Sequence, residues 1–220
     1  MSGRIEIHVS DIDWRPCNNR LLVKVDVVDG RRNGIYVGAA DWDIAGHVTR
    51  TGVVVKTPSK LFFRSKGDEW GVEWLTDLEA CVGDEAFWGI MEGSNCPIVY
   101  CGSDIYYLVD YASIRMLKRG EEIIPVNGFV LVEKKEEVDR SSVLIVDHTK
   151  KVNKSRGVVI KSGNPNVEYY GAEQYDAQNL KEGDEVMFSI SAWTELEDER
   201  YARFNKGVGY IQGRWIIASL

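Results

Sequence analysis

Four short landmarks occur twice along this chain, in the same order, and that recurrence restricts its architecture more than any other feature. Pro16-Cys-Asn-Asn-Arg-Leu-Leu-Val-Lys24 lines up with Pro125-Val-Asn-Gly-Phe-Val-Leu-Val-Glu133, an offset of 109. Gly52-Val-Val-Val-Lys56 lines up with Gly157-Val-Val-Ile-Lys161 at 105, and Val82-Gly-Asp-Glu-Ala-Phe87 with Glu182-Gly-Asp-Glu-Val-Met187 at 100. Tyr107-Leu-Val with Ile114 lines up with Tyr210-Ile-Gln with Ile217 at 103. The offsets drift only between landmarks, as expected where insertions fall in loops. A chain of 220 residues is long enough for two such units. The boundary falls near Gly120, giving residues 1–120 and 121–220.

Each half reads as all-β. The runs rich in Val, Ile, Leu, Phe and Tyr are short, and Gly, Asn, Asp and Ser punctuate them. In the first half they cover about 21–27, 52–57, 85–91, 97–101 and 105–109. In the second they cover about 128–134, 157–162, 185–191, 207–212 and 214–218. Gly-Asp-Glu in each half marks a tight turn that launches a strand. The nearest approach to a helical period is Trp70–Cys81, which leaves room for one short helix. A handful of short strands in about 100 residues suggests a small barrel, because closure removes exposed edges.

Composition excludes several classes. Net charge is −7, spread evenly over both halves, which argues against a nucleic-acid backbone as the main partner. No apolar run approaches the ~20 residues that cross a bilayer, and the N-terminus does not resemble a signal peptide. The expectation is a soluble, cytoplasmic protein. Cys17, Cys81, Cys96 and Cys101 form no CxxC pair, and His8, His47 and His148 lie far from Cys96 and Cys101. Buried or half-buried structural thiols are expected, not a metal site. There is no P-loop, dinucleotide fingerprint, HExxH or GxSxG, and the carboxylates Glu195, Glu197, Asp198 and Glu199 read as a solvated loop. The chain is not expected to be an enzyme or to need a cofactor.

One stretch does not fit a plain solvated loop. Glu133–Gly157 begins and ends in charge but contains Val143-Leu144-Ile145-Val146. Four aliphatics in a charged segment are either a short core strand or a hook that another protein buries.

The ordered landmarks resemble the GroES-type co-chaperonins, the lids of group I chaperonins. The family's opening strand follows a proline, a few mostly polar residues, then β-branched residues and a lysine. Pro16–Lys24 is similar to this pattern, and Pro125–Glu133 keeps its spacing. Ser155-Arg156-Gly157-Val-Val-Ile-Lys-Ser-Gly163 is similar to the closure of the family's long loop, and Thr49-Arg-Thr-Gly52 is a looser version. Lys181-Glu-Gly-Asp184 and Cys81-Val-Gly-Asp84 resemble its lysine-x-Gly-Asp turn. The terminal strand pair resembles Tyr107–Leu117 and Gly209–Ala218. The resemblance implies two tandem GroES-like small β-barrels with extended loops and roof insertions. The insertions are an aromatic one over 61–80 and another over 165–179. Trp14, Trp42, Trp70, Trp74 and Trp88 all lie in the first half, so the halves have diverged.

The resemblance also implies the site. In this family the loop after the first strand carries a small apolar tripeptide that docks on the chaperonin ring. Counted back from Arg156-Gly157, the matching residues are Leu144, Ile145 and Val146, with Val143 adjoining. In the first half, Asn33-Gly34 precedes Ile35, Tyr36 and Val37, with Tyr36 a departure from the family's pattern. The segments expected to be mobile in the free protein are 26–50 and 136–155. Burying an aliphatic side chain gains ~1.5–3 kcal/mol, and ordering a loop costs ~1–2 kcal/mol per residue fixed. One loop then binds weakly, and a ring of loops binds through effective concentration.

The implied partners are a group I (GroEL-type) chaperonin ring and further copies of the chain in a homo-oligomeric ring, with no nucleic acid and no membrane. Family rings form when the first strand of one subunit pairs with the last strand of the next, for which the segments around Leu21–Val25 and Ile216 are candidates. Bacteriophage co-chaperonins are divergent and enlarged, which would place the protein in a host cytoplasm. The rival reading is a structural or assembly protein, for instance viral, that uses a double barrel in a ring or shell without binding a chaperonin.

Overall fold

The computed structural model describes residues 5–26, 31–32, 35–36, 51–63, 72–73, 77–89, 96–136, 152–164, 180–189, 194–195, 208–213 and 216–219. The chain divides into two compact units, Met1–Ile124 and Pro125–Leu220. The division lies just beyond Gly120. This glycine occupies a turn at positive φ between two hydrogen-bonded strands, and the chain passes to the second unit only after the hairpin is complete.

The described elements of unit 1 are all short. Strands β1 (Glu6–Val9), β2 (Arg20–Val25), β3 (Arg31–Arg32), β4 (Ile35–Tyr36), β5 (Thr51–Lys56) and β6 (Phe62–Phe63) come first. Then follow β7 (Val72–Glu73), β8 (Glu85–Trp88), β9 (Ile98–Cys101), β10 (Asp104–Asp110), β11 (Ile114–Arg119) and β12 (Glu122–Pro125). One 3-10 turn, Tyr111–Ser113, joins β10 to β11. The main sheet has eight strands in the order β1-β9-β10-β2-β5-β8-β11-β12, and β3-β4 and β6-β7 form separate hairpins. Only β1 against β9 is parallel among the described pairs. The described part of Trp70–Cys81 holds β7 and no helix, because Val72 and Glu73 pair with Phe63 and Phe62.

Unit 2 contains β13 (Phe129–Glu136), β14 (Val152–Ser162), β15 (Glu185–Phe188), β16 (Thr194–Glu195), β17 (Val208–Gln212) and β18 (Ile216–Ser219). Their order is β16-β17-β13-β14-β15-β18. This is the order β9-β10-β2-β5-β8-β11 of unit 1, strand for strand. In both sheets the described pairings run from one end strand to the other.

The registers agree residue by residue. Leu22, Val23 and Lys24 face Lys56, Val54 and Val53, with a shift after Leu22. Leu131, Val132 and Glu133 face Lys161, Val159 and Val158, with a shift after Leu131. Gly52 faces Ala86, and Gly157 faces Val186. These pairings carry the offsets 109, 105 and 100 into three dimensions. The last landmark is one residue out of place. Leu108 faces Leu22 and Tyr210 faces Leu131, so Tyr210 corresponds to Leu108, and Tyr107 corresponds to Gly209. Ile114 and Ile216 face Trp88 and Phe188, so Ile114 corresponds to Ile216, not Ile217. Matching tyrosine to tyrosine slipped the register, and a one-residue slip moves a side chain to the other face.

The core follows from this register. In unit 2, Val130, Val132, Val159, Val186, Phe188 and Ile211 form one buried cluster, with Leu180 and Ile216 against it. Their counterparts Leu21, Val23, Val54, Ala86, Trp88 and Val109 are all buried in unit 1. Each cluster alternates along its strands, as a sheet with one face on a core requires. Unit 1 covers its other face as well. Leu22, Val99 and Tyr106 are buried there beneath Ile7, Val9, Ile12 and Trp14 of the N-terminal segment. Cys96 is buried and Cys101 half-buried, but Cys17 and Cys81 are exposed, contrary to expectation, because each sits at a turn.

Candidate docking segments and their anchors

Each candidate hook lies in the connection between two adjacent, antiparallel strands: β2 and β5 in unit 1, β13 and β14 in unit 2. The chain enters both connections through equivalent turns. Asn18 and Asn19 have φ of 57° and 58°, and Asn127 and Gly128 have φ of 53° and 74°. Arg20 N–H bonds the Cys17 carbonyl at 3.3 Å, and Phe129 N–H bonds the Val126 carbonyl at 3.0 Å. Two consecutive left-handed residues closed by such a bond make a type I′ turn, which Asn and Gly suit. The three residues after each landmark proline are therefore a structured turn that aims the first long strand.

The chain leaves both connections through a glycine that has no room for a side chain. A Cβ on Gly52 would lie 2.3 Å from the Lys24 carbonyl oxygen and 2.7 Å from Val23 Cγ1. On Gly157 it would lie 2.4 Å from Val132 Cγ1 and 2.6 Å from the Glu133 carbonyl oxygen. Both contacts involve backbone that neighbouring strands hold, so glycine is required for close approach at these points.

A second paired feature secures the far side of each exit strand. Val54 N–H bonds the Asp84 carbonyl at 2.8 Å, and Gly83 N–H bonds the Val54 carbonyl at 2.8 Å. The matching bonds in unit 2 are Val159 to Asp184 at 2.9 Å and Gly183 to Val159 at 2.8 Å. Asp84 and Asp184 each accept a backbone N–H at 2.8 Å, from Cys81 and Lys181. Unit 1 adds a fork. Arg119 donates from Nε to Asp84 Oδ1 and from Nη2 to Oδ2, both at 2.8 Å, and reaches the Glu79 carbonyl at 2.9 Å. Burial works against the Asp84 carboxylate, but the Arg119 guanidinium and the Cys81 amide together hold it below the usual range. Elsewhere in unit 1, Lys24 pairs with Asp104 at 2.7 Å, which raises the lysine.

The predicted hooks fall unevenly on this frame. Ile35 and Tyr36 form β4 and pair with Arg32 and Arg31 of β3. Asn33-Gly34, the dipeptide that most favours a two-residue hairpin, lies between them in sequence. Val37 lies outside the described residues, as do Val143, Leu144, Ile145 and Val146. The second connection is shorter than the sequence suggested, because β14 begins at Val152, paired with Glu136 of β13. Segment 136–155 therefore ends in strand over 152–155. Lys135 also pairs with Glu185 across this region.

The sequence reading did not identify Asp84 and Arg119 as a pair. They are 35 residues apart, and no local pattern links them. Among the described residues, no group of three or more His, Cys, Asp and Glu side chains could hold a metal ion, and no helix is long and apolar enough to cross a membrane.

A comparison of the whole chain with curated proteins finds no match. Against protein families, residues 122–205 match the Chaperonin 10 Kd subunit family. This stretch spans the second type I′ turn, both strands that flank the candidate hook, and the Asp184 turn. Most of the second unit is thus similar to the co-chaperonin family, and the match supports a GroES-type relationship.

Proposed function

We propose that the chain is a co-chaperonin, a lid that docks on a group I chaperonin ring and assists nucleotide-dependent protein folding in the cytoplasm. The family match over residues 122–205 carries the reading, since it includes the whole β13–β14 connection. The recurrence of the strand order and register in unit 1 supports a tandem arrangement with one GroES-like unit in each half. Leu144, Ile145 and Val146 are the primary hook, with Val143 beside them. Ile35, Tyr36 and Val37 are the second, with Ile35 and Tyr36 on β4.

Assembly into a ring of copies belongs to the same reading. Leu21–Val25 is not the contact strand, because β5 and β10 already flank β2. Within one chain, β12, which leads into unit 2, is paired to β11. The counterpart of β11 is β18, the end strand of its sheet among the described residues, where Ile217 is 66% exposed. The counterpart of β12 is Asp13–Pro16. A second copy that lays Asp13–Pro16 along β18 repeats the β11–β12 pairing between chains.

The test replaces Leu144, Ile145 and Val146 together with serine and measures co-sedimentation with a GroEL-type chaperonin in the presence of ATP. Each lost aliphatic removes ~1.5–3 kcal/mol per loop, so the complex should disappear while the oligomer of the chain itself persists. A wild-type chain that forms a stable ring or shell yet never binds the chaperonin would establish the structural reading instead.

A further inference from the structure

Two side chains of unit 1 grip the inserted segment between β5 and β8 at its two ends. At the entry, Asn19 treats Phe62 as a strand partner. Phe62 N–H donates to Asn19 Oδ1 at 2.7 Å, and Asn19 Nδ2 donates to the Phe62 carbonyl. At the exit, Glu79 N–H donates to the buried Tyr111 hydroxyl at 3.2 Å. The two gripping residues are themselves joined, since Tyr111 N–H donates to the Asn19 carbonyl at 2.7 Å. Tyr111 is 1% exposed, and burial raises its hydroxyl so that it stays neutral.

Unit 2 keeps the joint and lacks both grips. The register makes Gly128 the counterpart of Asn19 and Gly213 the counterpart of Tyr111. Gly213 N–H donates to the Gly128 carbonyl at 2.7 Å, the same bond at the same length. Neither residue has a side chain that could reach an insertion. Asn19 also holds a left-handed conformation, φ 58°, that glycine adopts at lower cost. Asparagine also suits this turn, and here it adds what glycine cannot, an amide with both ends bonded to Phe62.

We propose that Asn19 and Tyr111 form a clasp that fixes the two ends of the aromatic insertion of unit 1, at Phe62 and Glu79, to its sheet. The clasp closes the insertion as a loop anchored at Phe62 and Glu79, and it presents Phe62, 47% exposed, from a fixed backbone. Unit 1 holds the ends of its insertion through these side chains, whereas Gly128 meets Asn164, at the edge of the second insertion, through backbone alone, its N–H donating to the Asn164 carbonyl at 2.7 Å.

Amide hydrogen exchange on the full chain tests the clasp, using Asn19→Gly, Tyr111→Phe and both together. Glycine suits the left-handed position, and phenylalanine keeps the buried ring, so both variants retain the turn and the core. Asn19→Gly removes two hydrogen bonds and should speed exchange of the Phe62 amide about tenfold, and Tyr111→Phe should speed the Glu79 amide severalfold, by roughly what such bonds contribute. Chymotrypsin should cut after Phe62 or Phe63 faster in both variants. The amides of Val23 and Val54 should not change. Unchanged exchange at Phe62 and Glu79 overturns the proposal. So does an equal rise at Val23 and Val54, which would make these residues general contributors to the stability of the sheet.

Discussion

The two units share a strand order, a register and six core positions, and they differ in what is attached to that frame. Unit 1 adds β1 and β12 at the ends of its sheet, a second buried face under Ile12 and Trp14, the Arg119 fork and the Asn19–Tyr111 clasp. Among its described residues, unit 2 has the bare six-stranded sheet, with glycine at both clasp positions. Its Asp184 keeps the Lys181 amide that Asp84 finds in Cys81. The comparison teaches which features the architecture itself requires. The two type I′ turns, the close-approach glycines and the aspartate turns occur in both units and so belong to the fold. Among the described residues the clasp and the fork occur in unit 1: the clasp holds the ends of its insertion, and the fork ties the Asp84 turn to β11.

The largest effect should come from the shared glycines. Gly52→Ala and Gly157→Ala each drive a methyl into a neighbouring strand's carbonyl, at a cost of about 3 kcal/mol or more. Unit-resolved hydrogen exchange should show the loss confined to the unit that carries the substitution, and similar in size for both. A mild effect at one position alone would break the equivalence.

Next is the fork, which separates the units. Arg119→Ala leaves the Asp84 carboxylate, 2% exposed, without its cation. The cost is about 2 kcal/mol, below the full penalty for a buried pair because the arginine itself is partly solvated. Asp184→Asn in unit 2 should cost at most about 1 kcal/mol, the worth of one hydrogen bond. The same contrast appears on acidification. The folded Asp84 lies below its ordinary value of 3.8, so its stabilisation is present above that value and is lost as pH falls further. Unit 1 of the wild type should lose this contribution as pH falls below about 4, and Arg119→Ala should flatten that dependence, as followed by exchange or urea denaturation.

The smallest effects belong to the surface pairs. Lys24–Asp104 in unit 1 and Lys135–Glu185 in unit 2 occupy different places on the shared frame, and all four side chains are about 42–46% exposed. Lys24→Ala and Lys135→Ala should each leave stability nearly unchanged, and shift it less still at high salt. A larger loss for either would make that pair part of the frame.

Much of this was legible in the chain, for physical reasons. The repeat was visible because glycine at a close approach and Gly-Asp at a turn leave few substitutes, so Gly52, Gly157, Gly83 and Gly183 survive where core residues drift. Core residues hide the repeat better. Ala86 and Trp88 correspond to Val186 and Phe188, since a core accepts different side chains that fill it. The offset of the last landmark was misread because tyrosine at Tyr107 and Tyr210 looks alike while lying on opposite faces. The division between the units, after Ile124, falls close to the Gly120 expected from the sequence, displaced by the hairpin that Gly120 turns.

By itself, then, the sequence determined the all-β character, the twofold plan and the positions of the long connections between β2 and β5 and between β13 and β14, because those depend on local turn chemistry and short-range alternation. Only the tertiary structure decided which residues face each other across the sheets. It paired Asp84 with Arg119, set Asn19 against Phe62 and Tyr111 against Glu79, and showed Gly128 and Gly213 standing where that clasp would be. Those contacts join residues far apart in the chain, and no local pattern encodes them.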